Sequence, residues 1–197
     1  APREQVMSDA TNTEADAAEA APEPERLHGA LVTDSHGQVV LHPTREQYVA
    51  VIKALADDGY AMCADLTGVD YLGHMARSVA AGITPERFEV VVNLLDVTHR
   101  RRIRLRVQVP ETDCSLPSLF DVHPGTEAME REAFDMFGIT FTGHPDLSRI
   151  LMPEDWIGHP LRKDFPLLAR MVKPWPGIVD VEPMPGGDDT GDEGASE

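Results

Sequence analysis

The side chains that could do chemistry crowd into two neighbouring stretches, EREAFD (Glu130–Asp135) and HPDLSRILMPEDWIGHPLRKDFPL (His144–Leu167). The longer one offers His144, Asp146, Glu154, Asp155, His159 and Asp164, all able to ligate a metal. None of their spacings matches two histidines one helical turn apart or paired C-x-x-C. Both histidines precede proline, which biases them to extended backbone and suits a structural turn. The shorter stretch offers three carboxylates. On a helix Glu132 and Asp135 are neighbours, whereas Glu130 and Asp135 do not face each other squarely. A carboxylate pair suits acid–base work. Binding of a neighbouring base, either the fork of Arg131 or an arginine of a partner, is the stronger reading. The two cysteines, Cys63 and Cys114, lie far apart without a C-x-x-C, which excludes a self-contained cysteine-ligated cluster. No G-x-G-x-x-G, P-loop or Ser-His pattern occurs. The expectation is a chain without catalytic, cofactor-binding or metal-binding residues of its own.

The elements that must position these residues read as a single α+β domain. GQVVLHP (Gly37–Pro43) is a short strand closed by proline. The stretch from Thr44 is a helix: Thr44 and Gln47 form a capping box, and Tyr48, Val51, Ile52 and Leu55 share one face. Tyr60–Leu72 reads as strand and turn, and residues 73–85 as loop. The clearest signal is RFEVVVNLLD followed by RRIRLRVQVP. In the second, Ile103, Leu105, Val107 and Val109 alternate with Arg102, Arg104, Arg106 and Gln108, giving one buried and one solvated face. Asp96–Arg100 joins the pair as a hairpin loop. Val90–Val92 is apolar on both faces, which predicts a central strand covered by helices. GTEAMEREAFDMFG is a helix with Met129, Ala133, Met136 and Phe137 as its apolar stripe; Glu127, Glu130, Arg131 and Asp135 are expected to face elsewhere, and Gly138 to stop it.

After Gly143 regular structure is expected to end. Residues 144–176 contain six prolines yet are rich in Leu, Ile, Met, Trp and Phe. A small domain can hardly cover Ile150, Leu151, Met152, Trp156, Leu161, Phe165 and Leu167 along an extended path. A long structureless arm is usually functional, and a contiguous apolar patch marks a partner. The arm is therefore expected to lie along another protein, with Trp156, Leu161 and Phe165 as anchors and Arg162 and Lys163 as polar rim.

Charge and composition set the remaining bounds. Of the formal −17, residues 1–26 carry −5 and residues 178–197 carry −7. Both tails lack large apolar runs and are expected to be largely disordered. The division is thus 1–27 acidic tail, 28–141 α+β domain, 142–177 extended arm, and 178–197 acidic tail. The fold class is α+β, a mixed and largely antiparallel sheet with packed helices, followed by the proline-rich arm. An acidic balance argues against nucleic acid, and no aromatic residues interleave with the arginines at 100–106. No apolar run approaches a membrane span, no signal-peptide pattern opens the chain, and cysteine usage suits a reducing cytoplasm.

At EREAFDMFGITFTGHPDLSRILMPEDWIGHPLRKDFPL (Glu130–Leu167) the sequence strongly resembles the C-subunit family of the proton-pumping NADH–quinone oxidoreductase, respiratory complex I. DLTGVDYL (Asp65–Leu72) matches a second family stretch, and the resemblance covers about residues 28–170. Ala128 departs from a tryptophan common in the family, and Ser148 from a basic residue or proline. The resemblance implies a scaffold subunit that binds no flavin, cluster or quinone itself, within a complex that carries FMN, iron–sulfur clusters and quinone. It implies partners in the D-type, quinone-site subunit and the terminal-cluster subunit, at the cytoplasmic side of a bacterial cell membrane and without a span of its own. Motif and interface residues would be Glu130, Arg131, Glu132, Asp135, His144, Arg149, Trp156, His159, Leu161, Arg162, Lys163 and Phe165. Two other classes remain: the equivalent subunit of a membrane-bound hydrogenase or a ferredoxin- or deazaflavin-linked dehydrogenase, and a metal-dependent hydrolase using His144, His159 and nearby acids.

Overall fold

The computed structural model describes residues 25–166 other than 75 and 78. Of the acidic tail expected at 1–27, residues 1–24 lie outside the described residues, as do the tail expected at 178–197 and the arm beyond 166; Arg26 and Leu27 form a short strand instead. The Arg/Val alternation builds what it promises. Strand β5 (Phe88–Asp96) and strand β6 (Arg101–Val109) pair antiparallel from Phe88↔Val109 to Asp96↔Arg101. Ile103, Leu105, Val107 and Val109 are all buried, while Arg102 is exposed and Arg104, Arg106 and Gln108 are half-buried.

This pair sits in a six-stranded sheet of order β1-β2-β3-β6-β5-β4, with β1 Arg26–Leu27, β2 Ala30–Ser35, β3 Gln38–His42 and β4 Met62–Asp70. Only β3 and β6 run parallel. Helix α1 (Tyr48–Asp57) follows β3 and buries the expected Tyr48, Val51, Ile52 and Leu55. The Thr44–Gln47 box forms, each side chain accepting the other's backbone N–H at 3.3 Å, but it closes the turn ahead of the helix. The hairpin of β2 with β3 went unread in the sequence. Its turn residue His36 has φ +56, a conformation usually signalled by glycine or asparagine.

Val91 corrects the expectation of a strand covered on both sides. It points with Glu89 and Asn93 away from the core and is half-buried. Val90, Val92 and Leu94 pack in one cluster with the buried side chains of α1 and of helix α2 (Glu127–Phe137). The helical face supplies the core, and the other face keeps a polar, arginine-rich surface.

Helix α2 lies against β4, and Gly68 is what lets it approach. A Cβ there would stand 2.7 Å from Cδ2 of Phe137 and 3.1 Å from Ile139. Gly138 closes α2 in the left-handed region (φ +73), donating its N–H to Phe134 O at 2.8 Å. The chain then makes strand β8 (Thr140–Thr142), parallel to β7 (Ser115–Pro117). Residues 144–166 follow without helix or strand, as their prolines require.

Candidate functional site

The expected helical stripe on α2 is incomplete. Ala133, Met136 and Phe137 are buried, but so are Glu130 and Asp135, both with no accessible surface. The sequence reading turns these two carboxylates away from the apolar stripe; the fold keeps them off it but buries both, one on each side. Each then needs donors, because a buried charge without partners is costly.

Glu130 finds its donors in the chain leading into α2. Its oxygens accept from Ser118 Oγ at 2.6 Å, Leu119 N at 2.7 Å and Thr126 Oγ1 at 3.2 Å. Among the described residues no arginine reaches it, so the expected pairing of Glu130 with the fork of Arg131 is corrected. Burial pushes its carboxyl above the ordinary range against the pull of these hydrogen bonds. Arg131 pairs instead with Glu127, one turn back, at 3.1 Å. Glu132 is exposed.

Asp135 organises the start of the arm. Its Oδ1 accepts from Arg149 at 2.6 Å. Its Oδ2 takes three successive backbone N–H groups, of Ile150, Leu151 and Met152, at 3.2, 2.8 and 2.8 Å. Burial alone would raise its pKa; these donors outweigh it and hold the carboxyl below the usual range. Arg149 donates its other nitrogen to Gly158 O at 3.1 Å. Arg131 donates to Ser148 O, Ser148 Oγ and Arg149 O at 3.0–3.3 Å.

The two histidines of the arm serve backbone carbonyls. Nε2 of His144 donates to Glu127 O at 3.1 Å, because its Nδ1 accepts from Asp146 N. Nδ1 of His159 donates to Asp135 O at 3.0 Å, and its ring stands edge-on to Phe134. Burial is the main cause that lowers the pKa of His159. Among the described residues no three His, Cys, Asp or Glu side chains gather as a metal-ligand group.

The arm then caps α2. A helix leaves its last carbonyls without intrahelical donors, and positive charge is favoured there. Besides His159, Leu161 N donates to Met136 O at 3.1 Å, and Arg162 Nε donates to Phe137 O. Gly138 makes room, since a Cβ there would collide with Arg162 and stand 2.6 Å from Nε2 of His159. At the far end Lys163 N donates to Asp70 Oδ2 at 2.8 Å, and Asp164 pairs with Arg87 at 2.9 Å. Arg87, itself buried, also holds Asp70 through two nitrogens and reaches Glu111.

The large side chains of the arm point the other way. Leu147 and Met152 pack on the core, but Ile150, Leu151, Trp156, Ile157 and Leu161 are 42, 60, 41, 91 and 50% exposed. Phe165 is half-buried against Gly158. The arm is thus inverted, with polar groups turned in and apolar ones turned out.

Residues 41–171 match the family model described as respiratory-chain NADH dehydrogenase, 30 Kd subunit. The chain belongs to this family. The C-type subunit of the NADH-quinone oxidoreductase of Roseiflexus castenholzii is 48% identical over 152 residues, 76% of this chain and 80% of that one. The chain spans about half the length of several other curated relatives of the same name. A solved structure, Nqo5 of the trypsin-resistant fragment (1-134), superposes with TM-score 0.53 at 34% identity, covering 60% of this chain and 90% of that one. A chain of the membrane-bound sulfane sulfur reductase, an archaeal respiratory membrane complex, shares the fold at TM-score 0.55 and 20% identity, over 71% of this chain and 79% of that one.

Cys63 sits in β4 and Cys114 just before β7, and burial pushes both thiols up, Cys63 to about 11. Of the twelve motif residues, the fold gathers Arg131, Asp135, Arg149, His159 and Arg162 around the arm and the end of α2, with Glu130 serving the entry to that helix. Sequence reasoning missed Asp70 and Arg87. Their one legible signal is that each borders a strand of the sheet: Asp70 ends β4 opposite Phe88, next to Arg87.

Proposed function

We propose that this chain is the cofactor-free scaffold subunit of the peripheral arm of a proton-translocating NADH–quinone oxidoreductase, where its inverted arm lies against neighbouring subunits. Family membership supports the place in the complex, which passes electrons from NADH through FMN and iron–sulfur clusters to quinone. The observation that carries the docking role is the polarity of residues 144–166. A monomer has no reason to spend buried carboxylates and arginines on holding five large apolar side chains in water; a partner surface supplies one. The quinone-site subunit and the terminal-cluster subunit are the neighbours we assign to it, on the cytoplasmic side of the membrane. Among the described residues no helix is long and apolar enough to cross a membrane, in keeping with a peripheral position.

Trp156 and Ile157 test this. Ile157 is 91% exposed and Trp156 41%, so Trp156→Ala with Ile157→Ser should lower the unfolding free energy of the isolated chain by no more than about 2–3 kcal/mol, which a folded domain of ~5–15 kcal/mol survives. A desolvated aromatic anchor contributes about 2 kcal/mol to binding, roughly a thirtyfold change in affinity. The double variant should therefore co-purify poorly with the quinone-site subunit while folding normally. Normal recovery of the whole complex would refute the docking role. Identification of the co-purifying proteins also separates this reading from an equivalent subunit of a related membrane-bound complex, a class whose fold this chain shares.

A further inference from the structure

The contacts that hold the arm fall into two groups of different character. The inner group is centred on Asp135 and runs from Ser148 to Gly158. Its carboxylate has no accessible surface and takes four donors, and Arg149, only 15% exposed, spans from Asp135 to Gly158 O. Arg131 adds three donations, and Leu147 and Met152 are seated on the core. Lifting this part would leave a buried carboxylate facing an emptied site.

The outer group runs from His159 to Asp164. It consists of the three donations to the carbonyls of residues 135–137, the Lys163 N–H on Asp70, and the Asp164 pair with Arg87. Lifting it strands no charge. Arg87 keeps Asp70 and Glu111; Asp70 keeps Arg87 and Leu72 N; Asp164, already half exposed, returns to water. The freed carbonyls are those of a helix end, which water serves well. Between the groups stands Gly158 at φ +96, followed by His159 and Pro160. A residue that tolerates either sign of φ is suited to absorb a swing of the chain beyond it.

We infer that the arm is a strap with two clasps of unequal strength, and that the outer clasp opens by itself about Gly158 while the inner one stays shut. In the isolated chain residues 159–166 visit a lifted state, and residues 148–158 do not. The use we give this in assembly, handing the lifted tip to a neighbouring protein of the complex, rests on the proposed scaffold role; the opening itself does not.

Amide hydrogen exchange on the isolated full chain reads the two clasps separately, because exchange of a protected amide follows the population of its open state. The reporters are Ile150, Leu151 and Met152 for the inner clasp and Leu161 and Lys163 for the outer. We expect the outer amides to exchange at least tenfold faster than the inner ones. Asp164→Asn should speed them a further twofold to fivefold, as suits a half-exposed ion pair, and leave the inner amides unchanged. Raising NaCl from 0.05 to 0.5 M should do the same in the unaltered chain. Inner and outer amides that exchange together, and respond together to Asp164→Asn and to salt, would show a single clasp and overturn the inference. Recovery of the whole complex with Asp164→Asn is a separate readout: failure there, with the exchange pattern as expected, would count against the assembly role alone.

Discussion

Asp135→Asn is the substitution on which the account of the arm depends most. Asparagine matches aspartate in shape but carries no charge and presents two hydrogens where an acceptor oxygen stood. Whichever way it turns, an NH2 group faces either Arg149 or the three N–H groups of Ile150, Leu151 and Met152. Removing one partner from a buried, hydrogen-bonded pair costs about 3–5 kcal/mol, a large part of the ~5–15 kcal/mol that a domain has. With a urea slope of about 2 kcal/mol per M, the midpoint should fall by roughly 2 M. The pH dependence has a definite sign. The folded-state pKa of Asp135 lies below its unfolded value, so its contribution is full above the unfolded value of about 3.9 and is lost as pH falls through the folded one. The gap between the native chain and the variant should therefore be wide at pH 7 and close under acid conditions. A second variant, Asp135→Asn with Arg149→Met, should lose less than the sum of the two single changes, because the stranded arginine is gone. A midpoint shift under about 0.5 M at pH 7 would refute the reading of Asp135 as the inner clasp.

Glu130 behaves in the opposite way. Its folded pKa is raised, so its contribution is present at low pH and lost as pH rises through the folded value. Glu130→Gln keeps one acceptor for Leu119 N and Thr126 Oγ1 and offers its NH2 to the Ser118 hydroxyl. It should leave stability at pH 7 within about 1 kcal/mol, and unfolding followed upward from the unfolded carboxyl value of about 4.3 should show the Glu130-dependent slope removed; a loss above about 3 kcal/mol would contradict this. Gly68→Ala places a methyl 2.7 Å from the Phe137 ring and should cost about 1–3 kcal/mol, recovered in part by Phe137→Leu in the same denaturation assay.

How much of this can be read in the sequence depends on whether polarity follows burial. In β6 it does: each buried side chain, Ile103, Leu105, Val107 and Val109, is apolar, and the alternation gives strand, face and hairpin at once, whereas β5 already departs from it with Glu89 and Asp96 buried. In α2 it does not. A periodicity argument scores Glu130 and Asp135 as solvent-facing, and nothing local says otherwise, because their donors come from residues 118–126 and 149–152. Asp70 and Arg87 are hidden for the same reason: a buried arginine with a buried aspartate is a fact of tertiary structure. The hairpin of β2 and β3 is only half signalled: Gly37 at φ +76 is the glycine a tight turn asks for, but its neighbour His36 holds a positive φ usually left to glycine and asparagine.

The arm shows why an apolar, proline-rich segment can hold a position without helix or strand. Its backbone donors at Ile150, Leu151, Met152, Leu161 and Lys163 all end on acceptors of the domain, either carboxylates or the last turn of α2. The prolines remove donors that would otherwise need partners and narrow the conformations to be lost on ordering. Isoleucine, leucine and tryptophan side chains are then free to face outward, since none is needed to fix the path. The sequence reading takes the arm's apolar residues as the means of attachment to a partner and leaves its own domain out. The fold divides the labour: charged and polar groups attach the arm to its own chain, and the apolar groups so displayed are left for another. Residues 148–158, held by the inner contacts on Asp135, meet a partner already shaped, so the entropy they lose on docking is small and more of their contact energy appears as affinity.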